Sequence, residues 1–159
     1  MSFTKMKPSR NKKAKYLTYK EAFTRINQAI DAHFFLEAIT IEESIICDRM
    51  ISYLHGKFGV AFSENDMKSV KTLTGSLLKM WRKHAPEPIA FKNYLDLHKE
   101  IDEWREQRNY LLHSMTKSYP GKPTKNINDF LDDACIAAIR GKKLARALSD
   151  IAKEGNKKR

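Results

Sequence analysis

The sequence predicts an all-α fold, an up-and-down bundle of four to five helices with short connections. Three observations predict it. Apolar residues recur at three- and four-residue steps along most of the chain, no stretch alternates apolar with polar residues, and Gly/Pro clusters separate the periodic stretches. At 159 residues, with 42% apolar and 31% charged side chains, the chain has the size and balance of one globular domain with a core of its own.

Residues 1–16 are basic and aperiodic, with Pro8 interrupting them, and are expected to form a flexible N-terminal arm. Residues 17–154 then carry the helical domain, and residues 155–159 a basic tail. Tyr19, Phe23, Ile26 and Ile30 predict a first helix over residues 18–31. A second, from about His33 to Leu54, is apolar around nearly its whole circumference, from Phe34 and Phe35 through Ile39, Ile45 and Ile46 to Met50. A surface that wide belongs to a central helix covered on several sides. Gly56 and Gly59 are placed to stop it.

Met67, Val70, Leu73, Leu77, Met80 and Trp81 mark a third helix, with Ser63 or Asn65 as its N-cap. Pro86 and Pro88 break the chain after it. The fourth helix, residues 89–116, has the cleanest inward stripe: Tyr94, Leu97, Ile101, Trp104, Arg108, Leu111 and Met115. The turn-rich connector 119–123 follows. The last helix, residues 126–153, turns Leu131, Ala134, Ala138, Leu144, Leu148 and Ile151 inward, and Gly141 is expected to weaken or bend it.

Several function classes are disfavoured by what the chain lacks. No apolar run approaches the ~20 residues of a membrane span, and the N-terminus has no apolar signal-peptide core; a cytoplasmic protein without a membrane partner is expected. Cys47 and Cys135 lie in apolar surroundings without a Cys-x-x-Cys, and read as reduced core residues. His33, His55, His84 and His98 are dispersed at no ligand-like spacing, so neither a metal nor another cofactor is expected. There is no Gly-rich phosphate loop, no Ser-His-Asp order and no paired-carboxylate arrangement. The net charge of +11, concentrated at the two ends, favours polyanions such as nucleic acid, although basic ends also serve solubility.

The chemistry gathers on the fourth helix. Arg108 occupies a slot where the stripe calls for an apolar residue. A guanidinium keeps its proton and cannot be buried alone. It must pair with an internal carboxylate, for which Glu43 and Asp48 are the natural candidates, or snorkel to water, or bind a phosphate. Asn109 and His113 are four apart and share a face, with Arg105 one turn earlier. Arg108 and His113 are five apart, roughly 140° around an ideal helix; their heads converge only if the arginine reaches across or a second copy of the motif faces the first. The set supplies what cleavage of an RNA phosphodiester needs. An imidazole titrates near neutrality and moves the proton, a guanidinium neutralises charge on the phosphorane oxygens, and a carboxamide orients them. Asp48 and Arg49, adjacent on a helix, do not face each other and are expected to make contacts between helices.

The Arg108-Asn109-x-x-x-His113 segment, late in a long helix of an all-α domain, resembles the R-x4-6-H signature of the HEPN superfamily. The stretches His33–Ala38 and Glu43–Arg49 resemble the second helix of small bacterial HEPN-like proteins, and Glu103–Asn109 resembles the approach to the motif. The resemblance covers residues 18–152. It implies a HEPN-like bundle that forms a homodimer, with two motifs meeting at an intersubunit cleft. It also implies metal-independent endoribonuclease activity of the toxin–antitoxin or anti-phage defence kind, restrained where applicable by an antitoxin protein. Attack of the 2′-hydroxyl would leave a 2′,3′-cyclic phosphate, and DNA would resist. Carried over by residue, His113 is the acid/base, Arg108 the phosphate and transition-state contact and Asn109 the positioning residue, with Arg105 and Arg49 as further candidates for substrate contact. The chain departs from some toxins of the superfamily in having Met115, not tyrosine, two residues after the histidine, which puts neutralisation by tyrosine modification in doubt. Superfamily members that have lost catalysis define the alternative: an inactive helical dimerisation or nucleic-acid-binding module.

Overall fold

Among the described residues, five helices form in the order that the three-to-four spacing predicts. In the computed structural model, which describes residues 12–65, 73–115 and 120–157, these are α1 (Lys12–Asp31), α2 (Phe35–Phe58), α3 (Leu73–His84), α4 (Leu97–Ser114) and α5 (Ile127–Lys157). The all-α bundle expected from the sequence is present. Its helix directions follow from cross-helix contacts. α2 and α3 run the same way, with Cys47 beside Thr74, Tyr53 beside Trp81 and Phe58 beside His84, so the bundle is not up-and-down throughout as the sequence predicts. α5 runs with them, since Glu42 meets Gly141 and Gly56 meets Asn156. α4 runs against α3 and α5, and α1 against α2.

α2 is the central helix its wide apolar surface predicts, packing on α1, α3 and, along most of its length, α5. Its C-terminus closes at Gly59, whose left-handed φ of 68° lets its N–H bond back to His55 O at 3.0 Å. Gly56 lies inside the helix instead of ending it: a Cβ there would fall 2.2 Å from Asn156 Oδ1, so the glycine is a point of close approach to α5. Ile39, Ile46, Met50, Leu54, Leu77, Trp81, Trp104 and Leu144 are fully buried around this axis, each worth roughly 1.5–3 kcal/mol of burial. Trp104 is wholly enclosed because its indole N–H finds Ala137 O at 2.9 Å.

The structure corrects several expectations. α1 begins at Lys12, inside the segment expected to be aperiodic, because Lys, Ala, Tyr and Leu extend a helix without a core pattern and Lys15 is drawn to Asp48 at 3.1 Å. α4 begins at Leu97, not residue 89: Phe91 and Tyr94 exchange backbone hydrogen bonds across a tight turn, with Lys92 at φ 51°. Met115 is 54% exposed and Leu131 40% exposed, so both leave the inward stripes assigned to them; each lies near a helix end, beyond the reach of its neighbours. α5 runs on through Gly141. A Cβ there would sit 2.2 Å from Glu42 Oε2 and 2.8 Å from Trp104, so the glycine makes room for two large side chains. Met67 and Val70, the arm residues 1–11 and residues 158–159 lie outside the described residues. Cys47 and Cys135 are free thiols, both half-buried.

Glu42 is a carboxyl group inside this core. It is fully buried, and neither carboxyl oxygen has a hydrogen-bond partner among the described residues. Burial pushes its pKa from an ordinary 4.5 up to about 9, opposed only by the charge of Lys142. Below pH 4.5 the group is protonated in both states. As pH rises toward 9 the unfolded chain ionises while the folded chain holds its proton, so stability falls across that window. Glu42→Gln should therefore flatten the decline in denaturant stability between pH 5 and 9, and raise stability at pH 7 by on the order of 3 kcal/mol; a slope unchanged by the substitution would refute the assignment. Gly141→Ala should lower stability by about 1–3 kcal/mol through overpacking, whereas Gly75→Ala, whose Cβ would meet nothing closer than 3.9 Å, should raise it by about 0.5–1 kcal/mol. Thermal unfolding of the two alanine variants checks both signs.

Candidate functional site

The site is built where α2, α3 and α4 meet. Arg108, at the edge of the buried stripe of α4, reaches α2 and donates from Nη2 to Glu43. Glu43 Oε1 also accepts from the Thr74 hydroxyl at 3.0 Å, and Thr74 Oγ1 lies 3.2 Å from Cys47 Sγ. Burial pushes the Cys47 thiol up, with smaller opposing effects from Thr74 and Arg108, so it is a neutral member of the cluster. The Arg108 side chain is 15% exposed and that of Glu43 29%: the pair sits at the rim of the core, in contact with water. Of the two carboxylates that the sequence offers Arg108, Glu43 is the partner.

Asp48 is committed elsewhere. It accepts hydrogen bonds from Lys15, Tyr19 and Arg49 at the seam of α1 and α2. Burial opposes its ionisation, but the bonds from Tyr19 and Arg49 outweigh it and hold the carboxyl below its usual range. The Tyr19 hydroxyl is pushed up in turn, by burial first and then by Asp48. Arg49 bonds to Tyr19 Oη at 2.7 Å and to Asp48 Oδ2 at 2.5 Å, with its guanidinium 4.4 Å from the Tyr19 ring centroid. It is a fastener between helices, with no contact to the Arg108 cluster.

Around α4 from Arg108, the face carrying Arg105, Asn109 and His113 opens outward. His113 is exposed, Asn109 half-buried, and neither makes a hydrogen bond or ion pair among the described residues. Arg105 is held by Asp102, with Nε 2.9 Å and Nη2 2.8 Å from Oδ1. One chain therefore presents a rim guanidinium and, on another face of the same helix, a carboxamide and an imidazole uncommitted among the described residues.

Two further arginines show what structural arginines look like here. Arg82 spends Nη1 on the carbonyls of Pro86 and Glu87 and Nη2 on Asp96 and His98 Nδ1; His98 completes the anchor by donating from Nε2 to Leu78 O at 2.7 Å. Burial works against the Asp96 charge, yet Arg82 and the Ile89 N–H keep its carboxyl below the usual range. Arg140 pins Glu100 and Glu103. Arg108 engages only Nη2, as Arg140 does, but on one carboxylate where Arg140 holds two, and its buried Nε–H has no partner among the described residues. Thr74 escaped the sequence reading, which took Cys47 only for a core thiol, because nothing in their spacing foretells a meeting between helices.

Among the described residues, no group of three or more His, Cys, Asp or Glu side chains could hold a metal ion, and no helix is long and apolar enough to cross a membrane. Comparison with family models, with curated proteins and with solved structures finds no match to this chain. A double-mutant cycle on Glu43→Gln and Arg108→Met, read by urea unfolding, should give a coupling of about 1–3 kcal/mol. A coupling near zero would mean that the pair does not hold α2 to α4.

Proposed function

We propose that the chain is a metal-independent endoribonuclease of HEPN type, acting on RNA as a homodimer in a toxin–antitoxin or anti-phage defence setting. The observation that carries this reading is the under-used guanidinium of Arg108 beside the uncommitted Asn109 and His113. Arg82 fills both Nη groups and Arg140 spends Nη2 on two carboxylates, whereas Arg108 spends Nη2 on one. Its Nη1 is left over, and a phosphate that takes Nη2 from Glu43 can engage the two Nη groups as a fork. In the reaction, His113 takes the proton of the 2′-hydroxyl or delivers one to the leaving 5′-oxygen, Arg108 offsets charge on the phosphorane and Asn109 orients it. The products are a 2′,3′-cyclic phosphate and a 5′-hydroxyl.

Dimerisation is supported by two features of α4. Arg108 and His113 point to different sides of one helix, so a second copy supplies the missing group across a shared cleft. Leu112 and Met115, flanking His113, are large apolar side chains left about half exposed, as an interface would leave them. An antitoxin protein, on this reading, covers the same cleft.

One observation favours the alternative, a catalytically inactive helical module that dimerises or binds nucleic acid. Glu43 neutralises Arg108 within the chain, which is what a purely structural role requires.

With RNA in EDTA, the wild-type protein should cleave and leave DNA of the same sequence intact. His113→Ala and Arg108→Ala should each reduce cleavage by about 10²-fold or more. Met115→Glu should yield a monomer by light scattering and lose cleavage with it. RNA bound but uncut by the wild type, or cleavage surviving in His113→Ala, would select the inactive module.

A further inference from the structure

A second feature of α3 and α4 lies beside this site and is used by none of the steps above. The two antiparallel helices leave between them an open groove of about 540 Å³, bordered by Gly75, Ser76, Lys79, Arg82, Asp102 and Arg105, with His98 at its floor. Its polar groups divide into two kinds. Arg82, His98 and Asp96 form the closed anchor already described, and their donors and acceptors are spent. The other kind is unspent. Lys79 is exposed and pairs with no carboxylate among the described residues, and the Ser76 hydroxyl is likewise uncommitted. Arg105 gives Nε and Nη2 to Asp102 and leaves Nη1 over Gly75, 3.9 Å from where a Cβ would be.

Ser76 and Lys79 are one turn apart on α3, so they share a face of that helix. Gly75 removes the side chain that would otherwise lie under the Arg105 fork. Three donors thus border one concave space: an ammonium, a hydroxyl and a guanidinium Nη1. Against them the groove lining holds one carboxylate, Asp102, whose Oδ1 already takes two contacts from Arg105; Glu106, 3.6 Å from Arg105 Nη2, lies outside the lining. A tetrahedral oxyanion satisfies such a set; a cation or an apolar group does not. A second groove of comparable size among the described residues, beside Tyr53, Phe58, Ile89 and Ile151, is mainly apolar and is lined by both Lys57 and Glu154, so it offers no such excess of donors.

Position supplies the ligand class. Thr74, which shares Glu43 with Arg108, immediately precedes Gly75, and Arg105 lies one turn before Arg108 and Asn109 on α4. The groove and the candidate site therefore lie next to each other along α3 and α4, about one helical turn apart.

We infer that the groove between α3 and α4 is a phosphate subsite, in which Ser76, Lys79 and Arg105 hold a backbone phosphate of an RNA strand near the one presented to Arg108. That the strand is RNA rests on the proposed function; that the groove takes phosphate rests on its own donors. Lys79 fixes the strand by charge, Arg105 by a directed hydrogen bond, and neither takes part in proton transfer.

The test measures binding apart from cleavage. In a His113→Ala background with EDTA present, the affinity for a labelled single-stranded RNA is followed by anisotropy against salt concentration. Lys79→Glu should weaken binding about tenfold and reduce the slope of log K on log salt by about one. Lys57→Glu, the same charge change at the far end of α2, should cost less than about twofold on the same scale. Both lysines are exposed, and matching thermal unfolding of the two variants confirms that the fold is kept. Equal losses in the two variants would reduce the effect to net charge and overturn the subsite. Failure of the wild type to cut RNA would remove the nuclease reading while these binding curves still judge the groove. Should the wild type bind no RNA, titration with uridine monophosphate decides: amide shifts centred on residues 75–79 and Arg105 support a site for a free nucleotide, and their absence overturns it.

Discussion

The structure depends on how α2 disposes of two consecutive glutamates. Successive residues on a helix point about 100° apart, so Glu42 and Glu43 cannot share an environment. Glu42 enters the core against Gly141 and Trp104 and stays protonated. Glu43 emerges at the rim, ionised against Arg108 and bonded by Thr74. One ties α2 to α5 through shape, the other ties it to α3 and α4 through charge. Every helix that forms the candidate site is positioned by one of these two contacts.

This arrangement explains why a cation can stand in an apolar stripe. Deep in the core an arginine would face a desolvation cost that one carboxylate seldom offsets. At the rim, with water on one side, the cost is smaller and the pairing reversible. On the proposed reading, the same half-exposure would let an incoming phosphate compete with Glu43 for the guanidinium, so that the charge stabilising the fold without a ligand is the charge offered to one. Arg49, stacked on Tyr19 and bonded to Asp48, has no comparable freedom.

Much of the fold was legible in the sequence because helices announce themselves by period, and the inward stripe of Leu97, Ile101, Trp104 and Leu111 is buried as its spacing requires. The start of α4 was not legible, since Tyr94 stands three residues before Leu97 and continues the helical spacing through a tight turn. The burial of Glu42 was legible and overlooked: it falls in phase with Ala38, Ile45 and Ile46, all buried, but a carboxylate in an apolar register is easily taken for surface. The partner of Arg108 narrowed to two residues by charge alone; choosing Glu43 over Asp48 needed the position of α1, whose Lys15 and Tyr19 claim Asp48. Thr74, Ser76 and Lys79 carried no signal, because a groove between antiparallel helices is a property of their packing.

The central claim is that Arg108 can leave Glu43 for a phosphate while the fold stays intact. It is tested most directly by NMR of the arginine side-chain Nε–H groups in His113→Ala protein titrated with RNA. The Arg108 signal, assigned by its loss in Arg108→Lys, should shift on saturation with RNA while that of Arg82, held in its anchor, stays in place. An Arg108 signal that does not move when RNA is bound would show that Glu43 keeps it, and that Arg108 serves the fold alone.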